Sequence, residues 1–254
     1  MSEGIRIWIL ITSLVCYSGC EQKPAAEADA FSGQTVYNRD QAVEIILTRS
    51  KNAPVAGEFA LDGVVFDPST RNEVELSSLW KRIPGILVFG SGSCTSSNLF
   101  NKDLNHLANR YEGKASFNLI YIREAHPEGG FQPMLQNDFA NEEIPPIQDP
   151  SDLESRCQAA LDFRKRKGLN LNFLVDDIDD PVAASWGAWP TRIFVVGSDG
   201  KILYAGDQGP WYFSVTKEGW HDPPPSFLES EFRKRPFDRI SLEEFLETHF
   251  SDKT

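Results

Sequence analysis

Along this chain, short, mostly apolar runs alternate with stretches in which apolar residues return every three or four positions. Residues 85–89 (Gly85-Ile86-Leu87-Val88-Phe89) are continuous rather than alternating, and 117–122 and 171–175 are apolar apart from Asn118 and Asn172, as expected of strands covered on both faces. Between them, 95–111 carries Leu99, Leu104, Leu107 and Ala108 at helical spacing, 152–167 reads as a second helix, and 180–186 as a short third one. Residues 192–197 and 201–206 flank Ser198-Asp199-Gly200, a tight-turn signal that predicts a hairpin. A helix over 38–51, with Ala42, Val43, Ile45 and Ile46 on its apolar face and Asp40 as its cap, precedes this alternation. So does a small hairpin within 59–79, where Asp62-Gly63 and Asp67-Pro68 mark turns. A capped helix over 241–250 closes the pattern. Strands separated by helices imply parallel crossovers, and the hairpin adds antiparallel strands.

Ahead of residue 37 the pattern changes. Residues 5–16 are mostly apolar, with Arg6 near their start. They are too short for a spanning helix, which needs about 20 apolar residues, and fit the core of a signal peptide. The stretch closes on Tyr17-Ser18-Gly19-Cys20, small residues followed by cysteine, which resembles a bacterial lipobox. The expectation is a signal peptide over 1–20, lipidation at Cys20, and a protein exported to the periplasm or cell surface on a membrane anchor. Residues 21–36, rich in Ala, Glu and polar side chains, read as a flexible tether.

Composition narrows the function. A net charge of -12 argues against a nucleic-acid partner, which needs a surplus of Lys and Arg on one face. Of the four cysteines, Cys16 and Cys20 lie in the leader, so the folded part holds Cys94 and Cys157 alone. That is no disulfide framework, and no Cys-x-x-Cys pair is present for zinc or dithiol chemistry. His106, His221 and His249 lack ligand spacing, so neither a metal nor a cofactor is expected.

The 37–254 domain is therefore expected to be α/β and thioredoxin-like. It has a central mixed sheet flanked by helices, a helix-and-hairpin extension at its N-terminus, and an irregular insertion over 212–236 before the last helix. In such sheets the functional crevice lies outside the carboxyl ends of the parallel strands. Cys94 follows the first core strand across Gly90-Ser91-Gly92-Ser93, Glu124-Ala125-His126 follows the second, and Asp176-Asp177 the third. At the start of a helix, unpaired N–H groups favour an anion, so the Cys94 thiol is expected to have a lowered pKa. Ser97 stands where a dithiol oxidoreductase has its second thiol, and a serine cannot resolve a mixed disulfide. The plainer reading of Cys94 is a buried inert thiol. Cys157, within a helix, reads as a small core residue. Trp189-Pro190, just before the strand at Arg192, is the expected place for a cis-proline beside the thiol. The aspartates at 176–180 read as caps of the short helix that follows.

Phe89-Gly90-Ser91, Tyr121-Ile122-Arg123-Glu124-Ala125-His126-Pro127, Trp189-Pro190-Thr191-Arg192 and Gly209-Pro210-Trp211 together resemble the iodothyronine deiodinases and their bacterial relatives, over about 75–212. The family's active-site string, Phe-Gly-Ser-Cys-Thr-Sec, can be laid on this chain in two ways. Matching Gly92-Ser93-Cys94-Thr95 to its Gly-Ser-Cys-Thr leaves Ser96 at the selenocysteine position. Matching Phe89-Gly90-Ser91 puts Cys94 there, and Tyr121, 27 residues later, then falls in register without a gap.

The resemblance implies that Cys94 attacks as thiolate and that His126, oriented by Glu124, handles a proton. Arg192 then binds an anionic group on the substrate or steadies the thiolate, although a structural ion pair suits it as well. Ser91, Ser97 and Pro190 support the site. The implied activity is reduction of a small electrophile, a halogenated compound or a disulfide, with an external thiol as reductant. Two departures stand out: the family's accessory cysteine is Gly92 here, and sulfur replaces selenium. Peroxide reduction is the alternative enzyme, although Leu87 and Ser91 occupy the Pro and Thr positions of the peroxiredoxin motif. A non-catalytic tethered binding domain is the third reading.

Overall fold

In the computed structural model the described residues are 35–51, 53–132, 144–207, 209, 214–218, 234 and 236–250. The signal segment, Cys20, most of the tether, Pro210-Trp211 and most of the 212–236 insertion lie outside them. No helix among the described residues is long and apolar enough to cross a membrane.

Helix α1 (Arg39–Ser50) opens the domain, and Asn38, not Asp40, caps it by accepting from the Gln41 N–H. Strands β1 (Val64–Phe66) and β2 (Glu73–Glu75) form the N-terminal hairpin. Its turn is closed by Asp67, whose carboxylate accepts from the Ser69 and Thr70 N–H groups. Strand β3 (Gly85–Gly90) is buried along its whole length. The helix expected over 95–111 is broken into α2 (Thr95–Leu99) and α3 (Asn101–Arg110) at Phe100, where φ -89 and ψ 3 leave the helical region. Apolar spacing survives such a break, which is why the pattern read as one helix.

Strand β4 (Ser116–Tyr121), α4 (Leu153–Lys167), β5 (Asn172–Val175), α5 (Pro181–Ser185), β6 (Arg192–Val196), β7 (Ile202–Ala205) and α6 (Leu242–Phe250) complete the order. A reciprocal box between Asp152 and Ser155 starts α4, and Gly168 ends it at φ 58.

The strands form one mixed sheet in the order β2-β1-β5-β4-β3-β6-β7. The pairs β3–β4 and β4–β5 are parallel, while β3–β6 and β6–β7 are antiparallel. This is the thioredoxin-like arrangement, with β3 paired to β4 on one edge and to β6 of the expected hairpin on the other. Alternate residues of β3 supply two cores. Leu87 and Phe89 face α1, α5 and the Trp80–Trp186 pair, while Ile86 and Val88 face α3, α4 and α6. A strand buried on both faces must be apolar at every position, which accounts for the unbroken run in the sequence. Part of the insertion is docked: the Leu242 and Glu243 N–H groups at the start of α6 donate to the Ser214 and Val215 carbonyls.

Candidate active site

Strand β3 ends at Gly90 and the chain turns through Ser91-Gly92-Ser93 into Cys94, the N-cap position of α2. Gly90 is needed for that turn, because a Cβ there would fall 2.3 Å from Ser97 Oγ. The loop is held at several points. Gly92 N–H donates to Tyr121 Oη at 3.0 Å, and Ser93 N–H donates to Glu124 Oε2 at 2.8 Å. The Gly92 carbonyl accepts from Asn98 Nδ2 at 2.8 Å and from Arg166 at 3.1 Å. Ser91 Oγ accepts from the Ala125 N–H. Asn98, Tyr121 and Ser93 were not among the candidates read from the sequence. The one signal for Asn98 was its place a single helical turn beyond Cys94.

Glu124 is buried and turns its carboxylate to Ser93 and Tyr121, whose hydroxyls both donate to it. Burial raises its pKa, and the Ser93 and Tyr121 donors oppose that rise. Its link to His126 runs through Ser93: the His126 main-chain N–H donates to Ser93 Oγ at 3.0 Å, and that hydroxyl donates to Glu124. The imidazole has another partner. His126 Nδ1 lies 3.0 Å from the Phe131 carbonyl, and the two rings meet edge-on. A carbonyl only accepts, so Nδ1 carries the proton and Nε2 keeps its lone pair. Burial pushes the His126 pKa down to about 4, so the ring is neutral at physiological pH.

Cys94 is itself buried, with 3% of its surface exposed. Here the expectation from sequence is reversed: its pKa is raised. Burial is the main cause, and the Ser97 N–H, Ser97 hydroxyl and Ser96 N–H, which favour a thiolate, do not outweigh it. The Ser97 hydroxyl faces the sulfur loosely, outside ordinary hydrogen-bond geometry. With only five residues, α2 adds little field of its own.

Trp189–Pro190 is cis, as its position predicted, and Trp189 Nε1 donates to the Glu124 carbonyl at 3.5 Å. Next to it, Thr191 Oγ1 donates to the Phe89 carbonyl at 2.7 Å, tying this loop to the end of β3. Arg192 is fully buried. It donates from Nε to the Gly206 carbonyl at 2.9 Å and from Nη1 to the Trp186 carbonyl at 3.2 Å. Its guanidinium stacks on Phe194 and Phe237. These contacts give it a structural setting within the core.

Cys157 belongs to the core on the opposite face of the sheet from Cys94, and both are free thiols. Asp176 does cap α5, accepting from the Val182 and Ala183 N–H groups. Asp180 does not, and instead anchors three arginines discussed below.

Gly92 is sterically closed. A Cβ there would lie 2.7 Å from both Tyr121 Oη and Ile147 Cδ1. Overpacking of this kind costs about 1–3 kcal/mol, so Gly92→Cys is expected to lower stability in urea denaturation by that amount. A variant as stable as the parent would mean that Tyr121 can leave Glu124 freely.

A thioredoxin-like sheet with one thiol at the end of β3 and a cis-proline on the neighbouring loop defines the general class. Within that class the model of the iodothyronine deiodinase family matches residues 45–219, and the chain belongs to that family. It is 28% identical over 173 residues to a type I iodothyronine deiodinase of Xenopus laevis, covering 66% of this chain and 63% of that protein. It is 30% identical over 147 residues to a thyroxine 5-deiodinase of Gallus gallus, covering 57% and 54%. The chain thus spans less than two thirds of the length of these relatives. Among solved structures, an uncharacterized conserved protein from Geobacillus kaustophilus overlaps 74% of this chain and 87% of its own, with TM-score 0.46 and 15% identity. A secreted disulfide oxidoreductase of Mycobacterium tuberculosis overlaps 55% and 79%, with TM-score 0.38 and 16% identity.

Proposed function

We propose that this protein is a one-thiol reductase in which Cys94 occupies the family's selenocysteine position. The observation that supports the reading is a thiol at the end of β3 whose preceding residue, Ser93, is hydrogen-bonded to Glu124 and to the main chain of a neutral, Nδ1-protonated histidine. At neutral pH the thiol is protonated and the His126 Nε2 lone pair is available to take its proton when an electrophile arrives. The sulfur then attacks the electrophilic atom, an iodine or a disulfide sulfur. The leaving group departs with the bonding electron pair and receives the proton from His126. An external thiol attacks the adduct on Cys94, and a second external thiol releases Cys94 as the free thiol. Per turnover, two thiols are oxidised to one disulfide and one substrate bond is reduced. The substrate class is a halogenated aromatic or a small disulfide. Export and a membrane tether through Cys20 belong to the same reading, supported by the leader pattern of residues 1–20.

The burial of Cys94 favours a second reading, a domain that binds a ligand and leaves the thiol inert. Treatment of the folded protein with an aryl disulfide, followed by peptide mapping, separates the two. The expected result is a mixed disulfide on Cys94 and none on Cys157. Its rate should climb with pH to a midpoint above the ordinary thiol value of about 8.5, since burial raises the pKa. Modification of Cys94 only after unfolding would overturn the enzyme reading and leave the binding domain.

A further inference from the structure

The tautomer of His126 is set by a carbonyl, and that carbonyl is held by the point at which the N-terminal segment enters the domain. The Phe131 N–H donates to the Val36 carbonyl at 2.7 Å, while the Phe131 carbonyl receives His126 Nδ1 at 3.0 Å. Val36 is itself buried, with 2% of its surface exposed, and packs into the same core as Cys94, whereas Tyr37 beside it is exposed. Thr35 Oγ1 donates to Asp149 Oδ2 at 2.6 Å, giving the segment a second pin.

Its approach depends on Gly130. A Cβ there would fall 3.0 Å from the Val36 carbonyl oxygen and 2.9 Å from Pro127 Cγ. The turn is completed by Gly130 N–H to the Pro127 carbonyl and by Gln132 Nε2 to the same oxygen at 2.7 Å. The imidazole therefore sits in a short loop, 126–132, whose outer residue is clamped from outside by Val36.

We propose that Val36 and Gly130 are positioning residues that act through Phe131 to hold His126 as its Nδ1–H tautomer. This rests on His126 serving as the proton carrier for Cys94. It adds that the carrier's state is set where the tether joins the fold. Without the clamp, the Phe131 carbonyl no longer fixes the Nδ1 proton and water reaches the ring. The two influences on this pKa are burial, which lowers it, and the Phe131 carbonyl, which raises it. Burial is the larger, so opening the loop moves the titration up toward the ordinary value of about 6.5.

The test is nitrogen-15 NMR of the histidine side chains in the full chain, with His126→Gln used only to assign the signal. In the parent, His126 should titrate near pH 4 with its proton on Nδ1. Gly130→Ala, a wedge from the loop side, and Val36→Ser, a loosening from the tether side, should each raise the midpoint by about one unit or more. Each should also reduce the Nδ1–H population. Val36→Ile, which keeps the buried side chain and the carbonyl, should leave both unchanged.

Fast hydrogen exchange at the Phe131 amide in the first two variants, with the His126 midpoint and tautomer unmoved, would overturn the inference. A shifted midpoint with unaltered reduction of an aryl disulfide would instead sustain the positioning role and remove His126 from the proposed cycle.

Discussion

Cys94→Ser is expected to reduce thiol-dependent turnover of an iodinated phenol or an aryl disulfide by roughly 10³-fold or more, the scale on which enzymes fail when the nucleophile is removed. A serine hydroxyl in the same place has no accessible anion and cannot form the sulfur adduct that an external thiol must resolve. No second thiol can substitute among the described residues, because Cys157 lies in the core on the far side of the sheet. Cys157→Ser is the matching control and should leave turnover unchanged. The measurement is steady-state reduction with excess small thiol, together with adduct mapping. Equal loss from the two variants would break the one-thiol scheme, since it would make Cys157 a redox partner. The serine variant should stay folded, because the Ser96 and Ser97 N–H groups that face the sulfur can serve a hydroxyl equally well.

Asp180→Ala is expected to be the most damaging structural substitution. Its carboxylate meets Arg156 at 2.6 Å, Arg49 at 3.5 Å and Arg123 at 3.8 Å, with all four side chains at most 5% exposed. It also accepts from the Arg123 main-chain N–H at 3.0 Å. Arg156 also donates from Nη1 to the Asp177 carbonyl and from Nη2 to the Ile178 carbonyl, so this group joins α1, α4 and the loops after β4 and β5. Nearby, Asp176 is already engaged: its carboxylate accepts from the Val182 and Ala183 N–H groups, and burial raises its pKa. Removing one member of a buried ion pair costs about 3–5 kcal/mol, because the partners stay buried and charged. In a domain of this size that corresponds to a fall in Tm of roughly 6–20 °C. Thermal unfolding of the variant against the parent checks it, and a fall under about 2 °C would mean that water or another carboxylate already screens the arginines.

Much of the fold was legible in the order of residues. The largely apolar runs at 85–89, 117–122 and 171–175 became β3, β4 and β5 to within a residue or two, and the turn at Ser198-Asp199-Gly200 separates β6 from β7. The break at Phe100 was not legible, since a kink between two helices leaves apolar spacing intact. The site was legible as an address: Cys94, Glu124 and His126 do gather at the carboxyl ends of neighbouring strands, beside a cis Trp189–Pro190.

What each group does there depended on packing. The start of α2 argued for an acidic thiol, and the depth of the surrounding core reversed the sign. Glu124 was read as a partner of His126, whereas its carboxylate went to Ser93, 31 positions away, and to Tyr121. Arg192 carried a family motif and a charge, yet its Nε and Nη1 donate to main-chain carbonyls within the core. Asp180 and Arg156, 24 positions apart, gave no local sign of belonging together.

By itself, then, the sequence determined the elements, their order around the sheet and the positions that reach its functional edge. Dihedral preference, apolar period and turn chemistry are properties of neighbours along the chain. Only the tertiary structure decided which protons sit where. Desolvation and hydrogen-bond partners belong to groups that meet across the sheet, and their balance exists only once the elements have docked.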